Sequence, residues 1–452
     1  SAFIWDNGYW DNTKTCDDIF GHLKRDELSW ENEELIKEYI QAGKAPLDEN
    51  PEVFAIEPVE TFETLGMVID HEEVEFDDKV TGKQIVEEMG FGWNLGNTFD
   101  AWNSSQNQGL DSETCWGNPE TTEEMIYYLV KTGFKAIRIP VTWHNHLIDD
   151  KYTIDPQWMK RVKTVVDWCI KYGLYVILNT HHDNAEPTLF PIQYGKGYYP
   201  LNKDIVESER FFICLEQIAN AFNNGYDHHS SKGLNEPRII GHQYEWGYNP
   251  EDWTCQEACS VLNEFQRLIH KAIRETGGNN AKRFIMVTAL SAGYDATLNS
   301  PFEFPDDSKY NPNNNKLFLS VHMYAPYDFA MNPDMSLSKF TDQYRKELDD
   351  KFISLYYKYV QKGYSIVAGE MGAINKNNTE ARTEWGKYYI GLTRRYQAST
   401  FLWDNGYWDN TKTCDDIFGH LKRDKLTWTV PEIIAAWVNA GKAKIVDNSQ
   451  TS

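Results

Sequence analysis

The chain has 452 residues, of which 41% are hydrophobic and 25% are charged, a composition that allows a large core and argues against global disorder. Its 44 Lys and Arg face 68 Asp and Glu, and the formal net charge of −24 argues against nucleic acid, an anionic membrane surface or a polyanion as partner. No apolar run approaches the length of about 18 residues that spans a membrane.

The two ends of the chain carry nearly the same sequence. Residues 3–28 read FIWDNGYWDNTKTCDDIFGHLKRDEL, and residues 401–426 match them at 24 of 26 positions with an offset of 398. Two copies at opposite ends do not indicate a solenoid, which stacks adjacent repeats. We interpret residues 1–45 as a duplicated C-terminal fragment of a preceding, near-identical catalytic module.

An acidic connector follows this fragment. Residues 46–78 contain 12 Asp or Glu, three prolines and no Lys or Arg, and their apolar residues suggest that part of this segment packs on a surface. We assign residues 46–79 to the connector, residues 80–446 to one catalytic domain and residues 447–452 to a tail.

From residue 80 onward, short β-branched runs alternate with amphipathic stretches of helical periodicity. The predicted strands cover residues 91–95, 135–140, 175–181, 283–289, 317–324, 366–370 and 400–403, with another just before Asn235. The predicted helices cover residues 122–132, 156–171, 204–223, 255–276, 339–362, 379–396 and 431–440. This alternation predicts an α/β protein with a (β/α)8 TIM barrel. A doubly wound sheet is the alternative, but no Gly-x-Gly-x-x-Gly turn supports it.

The duplicated segment creates a competition for the last strand of the barrel. A closed barrel has one place for an eighth strand, and residues 3–7 and 401–405 both fit it. Only a short turn joins the C-terminal copy to the helix before it, so we expect that copy to close the barrel and the N-terminal copy to lie outside.

Polar and titratable residues end six of the predicted strands. In a (β/α)8 barrel the C-terminal ends of the strands meet at one face, where the chemistry takes place. The residues at these ends are Arg138, His181, His182, Asn235, Glu236, His322, Tyr324, Glu370, Trp403 and Asn405. Six strand ends with this character predict an active site at that face.

Two of these residues form a candidate carboxylate pair. Glu236 and Glu370 end the fourth and seventh strands, which face each other across the barrel mouth. Hydrolysis of an acetal needs one carboxylic acid to protonate the leaving oxygen and one carboxylate to attack the carbon or activate water. The pair therefore predicts glycoside hydrolysis.

The neighbouring residues suit these two roles. Arg138 and Tyr324 are placed to donate to Glu370. His322 could orient Glu236, and Asn235 could hold a sugar 2-hydroxyl. A metal is the alternative use of His181, His182, Asp183, Glu236, His322 and Glu370. A metal would not explain the cation at Arg138, and no His-Glu-x-x-His helix occurs. We expect neither a metal nor a cofactor.

Seven segments, taken in order, resemble glycoside hydrolase family 5. They read GFGWNLGNTFDAW (90–102), IRIPVTW (137–143), ILNTHHDN (177–184), GLNEP (233–237), SVHMYAP (320–326), GEMG (369–372) and FLWDNG (401–406). The resemblance covers residues 80–443 and is closest to subfamily 4 endoglucanases, particularly the multi-module cellulases of anaerobic rumen fungi. It implies a retaining endo-β-1,4-glucanase that cleaves internal bonds through a covalent glycosyl–enzyme intermediate.

The resemblance also implies roles for individual residues. Glu236 matches the general acid/base and Glu370 the nucleophile, supported by Arg138, His181, Asn235, His322 and Tyr324. Asn97, Asp100 and Asn405 match residues of the glycone subsites, His182 is an additional sugar contact, and Trp403 matches a ring that stacks under glucose. Trp143 and Trp246, near the strand ends, are further candidate platforms, since flat rings bind the apolar face of a sugar.

The substrate and setting of such an enzyme stay open at this point. Xyloglucan, lichenan, xylan or mannan could replace cellulose, and a non-catalytic glucan-binding barrel would release no reducing ends. We expect a secreted, extracellular monomer that binds β-glucan but neither nucleic acid nor membrane. Asn103 and Asn377 head Asn-x-Ser/Thr triplets, which fits secretion.

The sequence departs from the family pattern just before Gly233. Residues 227–232 read DHHSSK where the family has an apolar strand. Burying Lys232 unpaired would be costly. We therefore expect this strand either to bulge outward or to fray in its lower half, with a loss of stability before a loss of chemistry.

Overall fold

The computed structural model describes residues 76–102, 109–183, 200–201, 210–223, 229–312, 315–409 and 416–445, and the hairpin residues 23–24 and 29–30. The chain divides into two compact units, residues 1–55 and residues 56–452. In the first unit, Leu23–Lys24 and Ser29–Trp30 form a short antiparallel hairpin. The proposed division into a duplicated fragment, a connector, a catalytic domain and a tail stays a prediction.

Eight parallel strands of the second unit close into a barrel. They are β1 (Phe91–Leu95), β2 (Ala136–Ile139), β3 (Tyr175–Thr180), β4 (His229–Leu234), β5 (Ile285–Gly293), β6 (Leu317–His322), β7 (Ser365–Met371) and β8 (Ala398–Asp404). Each strand pairs with the next along the chain, and β8 pairs with β1. The predicted (β/α)8 TIM barrel is confirmed.

Helices connect the strands. They are α1 (Gly82–Met89), α2 (Glu123–Thr132), α3 (Pro156–Lys171), α4 (Arg210–Ala221), α5 (Trp253–Glu275), α6 (Tyr294–Asn299), α7 (Tyr327–Ala330), α8 (Asp342–Lys358), α9 (Thr379–Arg395) and α10 (Pro431–Gly441). The sequence pattern missed α1, α6 and α7, because helices of four to eight residues are too short to show a clear period. In the described part of the chain, no helix combines the length and apolar character that crossing a membrane requires.

Side chains next to the helices set where they begin. Thr81 and Gln84 form a capping box at the start of α1, each satisfying a backbone N–H of the other. Asp155 accepts from the backbone N–H of Gln157 at the start of α3, where Pro156 occupies the first position. These local signals fix the starts of α1 and α3, and α3 begins at the predicted residue 156.

Strand β4 forms despite its polar sequence. Its backbone pairs with β3 from His229 onward and with β5 through Ser231, so the described residues show no fraying. The ladder to β3 shifts register between Leu178 and Thr180, which marks an irregularity near the end of β4. Backbone hydrogen bonds to two neighbours hold this strand in the barrel and carry Glu236 to its C-terminal end.

The C-terminal copy of the repeat closes the barrel, as predicted. Strand β8 pairs with β1 from Thr400 opposite Phe91 to Asp404 opposite Leu95. Residues 3–7 lie outside the described residues. The hairpin that follows in each copy has the same register, with Leu23 opposite Trp30 in one and Leu421 opposite Trp428 in the other.

Apolar side chains fill the barrel at the N-terminal ends of its strands. This cluster joins Phe76 and Val86 to inward residues of the strands such as Phe318 and Phe401. Phe284 stacks on Phe318 with ring centroids 4.5 Å apart. This end of the barrel is packed with hydrocarbon, and the parallel strands bring their polar C-terminal ends together at the opposite face.

Helix α9 offers a matched test of the packing around the barrel. Gly386 lies against Trp437 of α10, and a Cβ atom at this position would overlap the indole ring. We expect Gly386→Ala to lower the free energy of unfolding by about 1–3 kcal/mol, since an overpacked site must shift. Gly391→Ala on the same helix meets open space and should raise it by up to about 1 kcal/mol. Urea unfolding of both variants measures the difference, and equal stabilities would contradict this packing.

Candidate active site

A cleft of about 890 Å³ opens at the C-terminal ends of the strands. The predicted site residues that line it are Asn97, His181, His182, Asn235, Glu236, Trp246, His322, Tyr324, Glu370, Trp403 and Asn405. These residues lie at or after the ends of six different strands, so only the closed barrel brings them together. These predicted residues therefore share one continuous cleft.

Glu236 and Glu370 approach each other around one imidazole. The Nδ1 atom of His322 lies 2.7 Å from Oε1 of Glu236 and 3.5 Å from Oε2 of Glu370. One oxygen of each carboxyl group lies within 4.8 Å of the other. Gly369 allows this arrangement, because its missing Cβ would lie 3.1 Å from Nε2 of His322. The two acidic side chains can thus act on one bond of a bound molecule.

Glu370 is buried and held at both oxygens. Nη1 of Arg138 donates to Oε1 at 2.7 Å, and the hydroxyl of Tyr324 donates to Oε2 at 2.8 Å. Burial, followed by the charges of Glu370 and Glu236, raises the pKa of Tyr324 well above its usual value, so the phenol keeps its proton. A fixed cation and a fixed phenol therefore stabilise negative charge on Glu370.

Arg138 also orients the residue before the second carboxylate. Its Nη2 atom donates to Oδ1 of Asn235 at 2.5 Å, and Nη1 donates to Asn94 at 2.8 Å. The guanidinium is completely buried, so its planar fork is fixed by these contacts and by Glu370. One side chain of β2 thereby aligns residues at the ends of β4 and β7.

Glu236 lies in a different environment from its partner. Its side chain is 14% exposed, against 6% for Glu370, and faces the cleft. One carboxyl oxygen contacts His322, and the other lies 3.7 Å from Nη1 of Arg238. Arg238 was not among the predicted site residues, although its place two residues after Glu236 was a signal that could have indicated it.

Aromatic rings and polar groups share the other side of the cleft. The ring of Trp403 is parallel to that of His181, with centroids 5.8 Å apart, and Trp116 lies against His182 at 5.5 Å. Oδ2 of the buried Asp100 faces His182 Nε2 at 3.7 Å. Such a combination of flat rings and hydrogen-bonding groups is what a sugar chain requires.

Three residues at or beside the cleft have positive φ angles, in the left-handed region of backbone conformation. Asn97, in the cleft lining, has a φ of 54°, and its carbonyl accepts from Asn118 at 2.9 Å. Ser291 and Ala292, at the end of β5, have φ values of 52° and 47°. The N–H of Ser291 donates to the carbonyl of Pro237 at 2.7 Å, directly after Glu236. Strain of about 1–3 kcal/mol per residue is typical of functional sites, and no local sequence signal predicted it here.

Three groups of side chains in the described residues have a spacing that could hold a metal ion. They are Asp100 with His181 and His182, Glu236 with His322 and Glu370, and His242 with Asp252 and Cys255. In the first group, both ring nitrogens of His181 face amide groups, of Asn179 at 3.1 Å and of Asn235 at 3.3 Å. In the second, Glu370 already accepts from Arg138 and Tyr324. Side chains of both cleft groups therefore already form hydrogen bonds within the protein, an arrangement that suits further hydrogen bonds to the hydroxyl groups of a ligand.

The structure places three predicted site residues behind the cleft surface. Arg138 and Asp100 are fully buried and act through the residues they contact. Trp143 is 1% exposed, and its indole N–H donates to the carbonyl of Asn179 at 3.0 Å, so it belongs to the core and offers no face to a sugar. Trp246 is 63% exposed and remains available as a platform.

Comparisons with known proteins agree with this fold and cleft. A family model described as Cellulase (glycosyl hydrolase family 5) matches residues 99–409. Endoglucanase A of Clostridium longisporum is 37% identical over 387 residues, which are 84% of this chain and 70% of that protein. The residues matched by the family model include the ends of β2 to β8.

Two solved structures give the same result in three dimensions. A GH5-4 broad specificity endoglucanase from Ruminococcus champanellensis with bound cellotriose is 34% identical, with a TM-score of 0.71 over 81% of this chain and 100% of that one. A glycoside hydrolase 5 lichenase mutant from Caldicellulosiruptor sp. F32, in complex with cellotetraose, is 34% identical, with a TM-score of 0.72 over 83% and 99%. The chain therefore belongs to glycosyl hydrolase family 5, as its motifs indicated. Within that class of enzymes it is an endo-β-1,4-glucanase.

Proposed function

We propose that the protein hydrolyses internal β-1,4-glucosidic bonds with retention of configuration, through a covalent glycosyl–Glu370 intermediate. The observation that supports this most directly is the approach of the two carboxyl groups to within 4.8 Å at their nearest oxygens. Retaining enzymes hold this pair about 5–5.5 Å apart, whereas inverting enzymes need about 6.5–9.5 Å to admit a water molecule. The different surroundings of Glu236 and Glu370 suit one acid and one nucleophile.

In the first step, Glu370 attacks the anomeric carbon while Glu236 donates its proton to the glycosidic oxygen. The bond between that carbon and that oxygen breaks, and the aglycone leaves as an alcohol. Arg138 and Tyr324 hold the nucleophile in place, and His322 orients the acid at 2.7 Å. In the second step, Glu236 removes a proton from water, the oxygen of which attacks the same carbon and releases Glu370. Two inversions give net retention.

The proposed substrates are polymeric β-glucans, with cellulose, xyloglucan and lichenan as the leading candidates. The related endoglucanase and lichenase structures contain cellotriose and cellotetraose. In this chain, Trp403 offers a ring beside the carboxylates, and the exposed Trp246 offers another at the cleft wall. Rings on an open cleft suit a chain that extends beyond the cleaved bond.

Two measurements test this proposal. Release of reducing ends from carboxymethylcellulose, xyloglucan and lichenan should be measured side by side, and all release should disappear in Glu370→Ala. Binding of cello-oligosaccharides without any release would instead indicate a non-catalytic glucan-binding barrel. Proton NMR of the first products should show the β-anomer, and initial formation of the α-anomer would contradict the retaining mechanism.

We further propose that the enzyme acts as a secreted monomer. A polymeric glucan is too large to enter a cell intact, and the exposed Asn377 lies in an accessible Asn-x-Thr triplet. Glycosidase treatment of the protein from its native source should reduce its mass if Asn377 is glycosylated. Light scattering should give a single chain of 52.5 kDa before any modification.

A further inference from the structure

Arg238 forms a charged arrangement on the cleft wall that the catalytic steps above do not use. It lies on the loop after β4 and contacts Glu245 of the same loop, with Nε donating to Oε1 at 2.9 Å. Its Nη1 atom lies 3.7 Å from Oε2 of Glu236. Arg238 thus lies between Glu236, which takes part in the mechanism, and Glu245, which does not.

The surroundings hold this guanidinium in a defined place. Its central carbon lies 4.5 Å from the ring centroid of Trp246, a distance typical of a cation–π contact. The remaining oxygen of Glu245 accepts from the backbone N–H of Gly241 at 2.8 Å, which fixes Glu245 to the loop. Arg238 and Glu245 are about one-fifth exposed, so solvent screens their charges only partly. Arg238 is therefore a fixed charge next to the proposed acid.

We propose that Arg238 is a positioning residue for the carboxyl group of Glu236, and that Glu245 balances its charge so that this carboxyl group can carry a proton before the first step. The inference rests on the proposed function, since it takes Glu236 as the general acid/base. If Arg238 had no anionic partner, its charge would favour the ionised form of Glu236 and leave too little of the protonated acid. When Arg238 is paired with Glu245, the guanidinium can hold the carboxyl oxygen of Glu236 without this effect. Glu245 therefore sets how much of the acid form exists at the working pH.

Other charged groups also face Glu236 and are common to all the variants below. His322 contacts its Oε1 atom, and Glu370 lies beyond the same imidazole with Arg138 and Tyr324 attached. Glu347 and Lys351 of α8 line the cleft and pair with each other at 3.7 Å. Because none of these groups changes, a difference between variants reports on the Arg238–Glu245 pair.

The test is the pH dependence of kcat/KM for cellotetraose, whose alkaline limb reports loss of the proton from the acid in the free enzyme. Arg238→Met keeps an apolar stem for Trp246 and removes the charge, so the limb should move to higher pH by about half a unit to one unit. Glu245→Gln keeps the shape and exposes the charge of Arg238, so the limb should move to lower pH by a similar amount. Opposite displacements are the signature of a charge effect, which a merely structural role does not produce.

Arg267 supplies a matched control. It lies on the surface of α5, where its side chain is 46% exposed. It forms ion pairs with Glu264 of the same helix and with Glu303, which lies outside that helix. Arg267→Met removes the same kind of charge without touching the cleft, and its limb should coincide with that of the original protein. Arg238→Lys restores the charge without the planar fork, so the alkaline limb should return to its original position, while kcat should be lower than in the original protein because the carboxyl group is held less precisely. Thermal unfolding of each variant confirms that it is folded.

The outcomes separate this inference from the proposed function. If both displacements have the same sign, or neither limb moves, Arg238 and Glu245 only support the loop and the inference is wrong. If Glu236→Gln keeps the alkaline limb and the activity on cellotetraose, the assignment of the acid fails, and the inference fails with it. Displacements of opposite sign, together with loss of activity in Glu236→Gln, support both.

Discussion

Glu370→Ala is expected to lower kcat on every β-glucan by about four to six orders of magnitude, the effect of removing a catalytic nucleophile. The loss removes the atom that bonds to the sugar, so no acid–base group can compensate. The variant also leaves the buried Arg138 without its carboxylate partner at 2.7 Å. Breaking such a buried pair costs about 3–5 kcal/mol of stability, so unfolding must be measured beside activity.

Azide distinguishes the missing nucleophile from a damaged fold. The space left by the carboxylate admits this small anion, which attacks the anomeric carbon from the side that Glu370 occupied. We expect azide to restore part of the activity on substrates with good leaving groups and to give the α-glycosyl azide. Glu370→Gln fills the space and serves as the control, with no rescue. If the kcat of Glu370→Ala is within tenfold of the kcat of the original protein, another group is the nucleophile.

Glu236→Gln should separate substrates by their leaving groups. On cello-oligosaccharides, which need protonation of the departing oxygen, kcat should fall by about 10²–10⁴-fold. On a dinitrophenyl cellobioside, the leaving group needs no acid, so formation of the glycosyl–enzyme should stay fast. The second step still lacks its base, and stopped-flow absorbance should show a burst of dinitrophenol followed by slow turnover.

The smaller variant Glu236→Ala extends this experiment. Azide should then attack the glycosyl–enzyme from the face opposite Glu370 and give the β-glycosyl azide, the anomer opposite to that from Glu370→Ala. Absence of the dinitrophenol burst, with formation of the glycosyl–enzyme slowed as much as on cello-oligosaccharides, would contradict the acid role. Formation of the same azide anomer from both alanine variants would contradict the assignment of the two carboxylates.

Much of the site could be predicted because barrel topology converts chain order into position. Glu236 and Glu370 each end a strand, and parallel strands in a closed barrel place all such ends at one face. Arg138 could be assigned to the same face for the same reason. The structure then shows the guanidinium at hydrogen-bond distance from Glu370, which the spacing along the chain, 232 positions, does not reveal.

The aromatic residues show where this reasoning fails. Trp143 and Trp246 both follow strand ends, and the sequence pattern made both candidate platforms. The structure buries Trp143 to 1% exposure and leaves Trp246 at 63%. Loop residues have no periodic pattern, and their burial depends on which distant segments fold over them. The positive φ values of Ser291 and Ala292 escaped prediction for the same reason, since these residue types rarely adopt that conformation.

The sequence by itself determined the alternation of strands and helices, the closure by the C-terminal copy of the repeat, and the two carboxylates with their family. Each of these follows from local periodicity, from short connections or from motifs that occur in order. Only the tertiary structure decided which side chains share a charge or a hydrogen bond, such as His322 between Glu236 and Glu370 and Arg238 between Glu236 and Glu245. Electrostatic interactions depend on distances of a few ångströms and on burial, and both arise only when separate parts of the chain pack together.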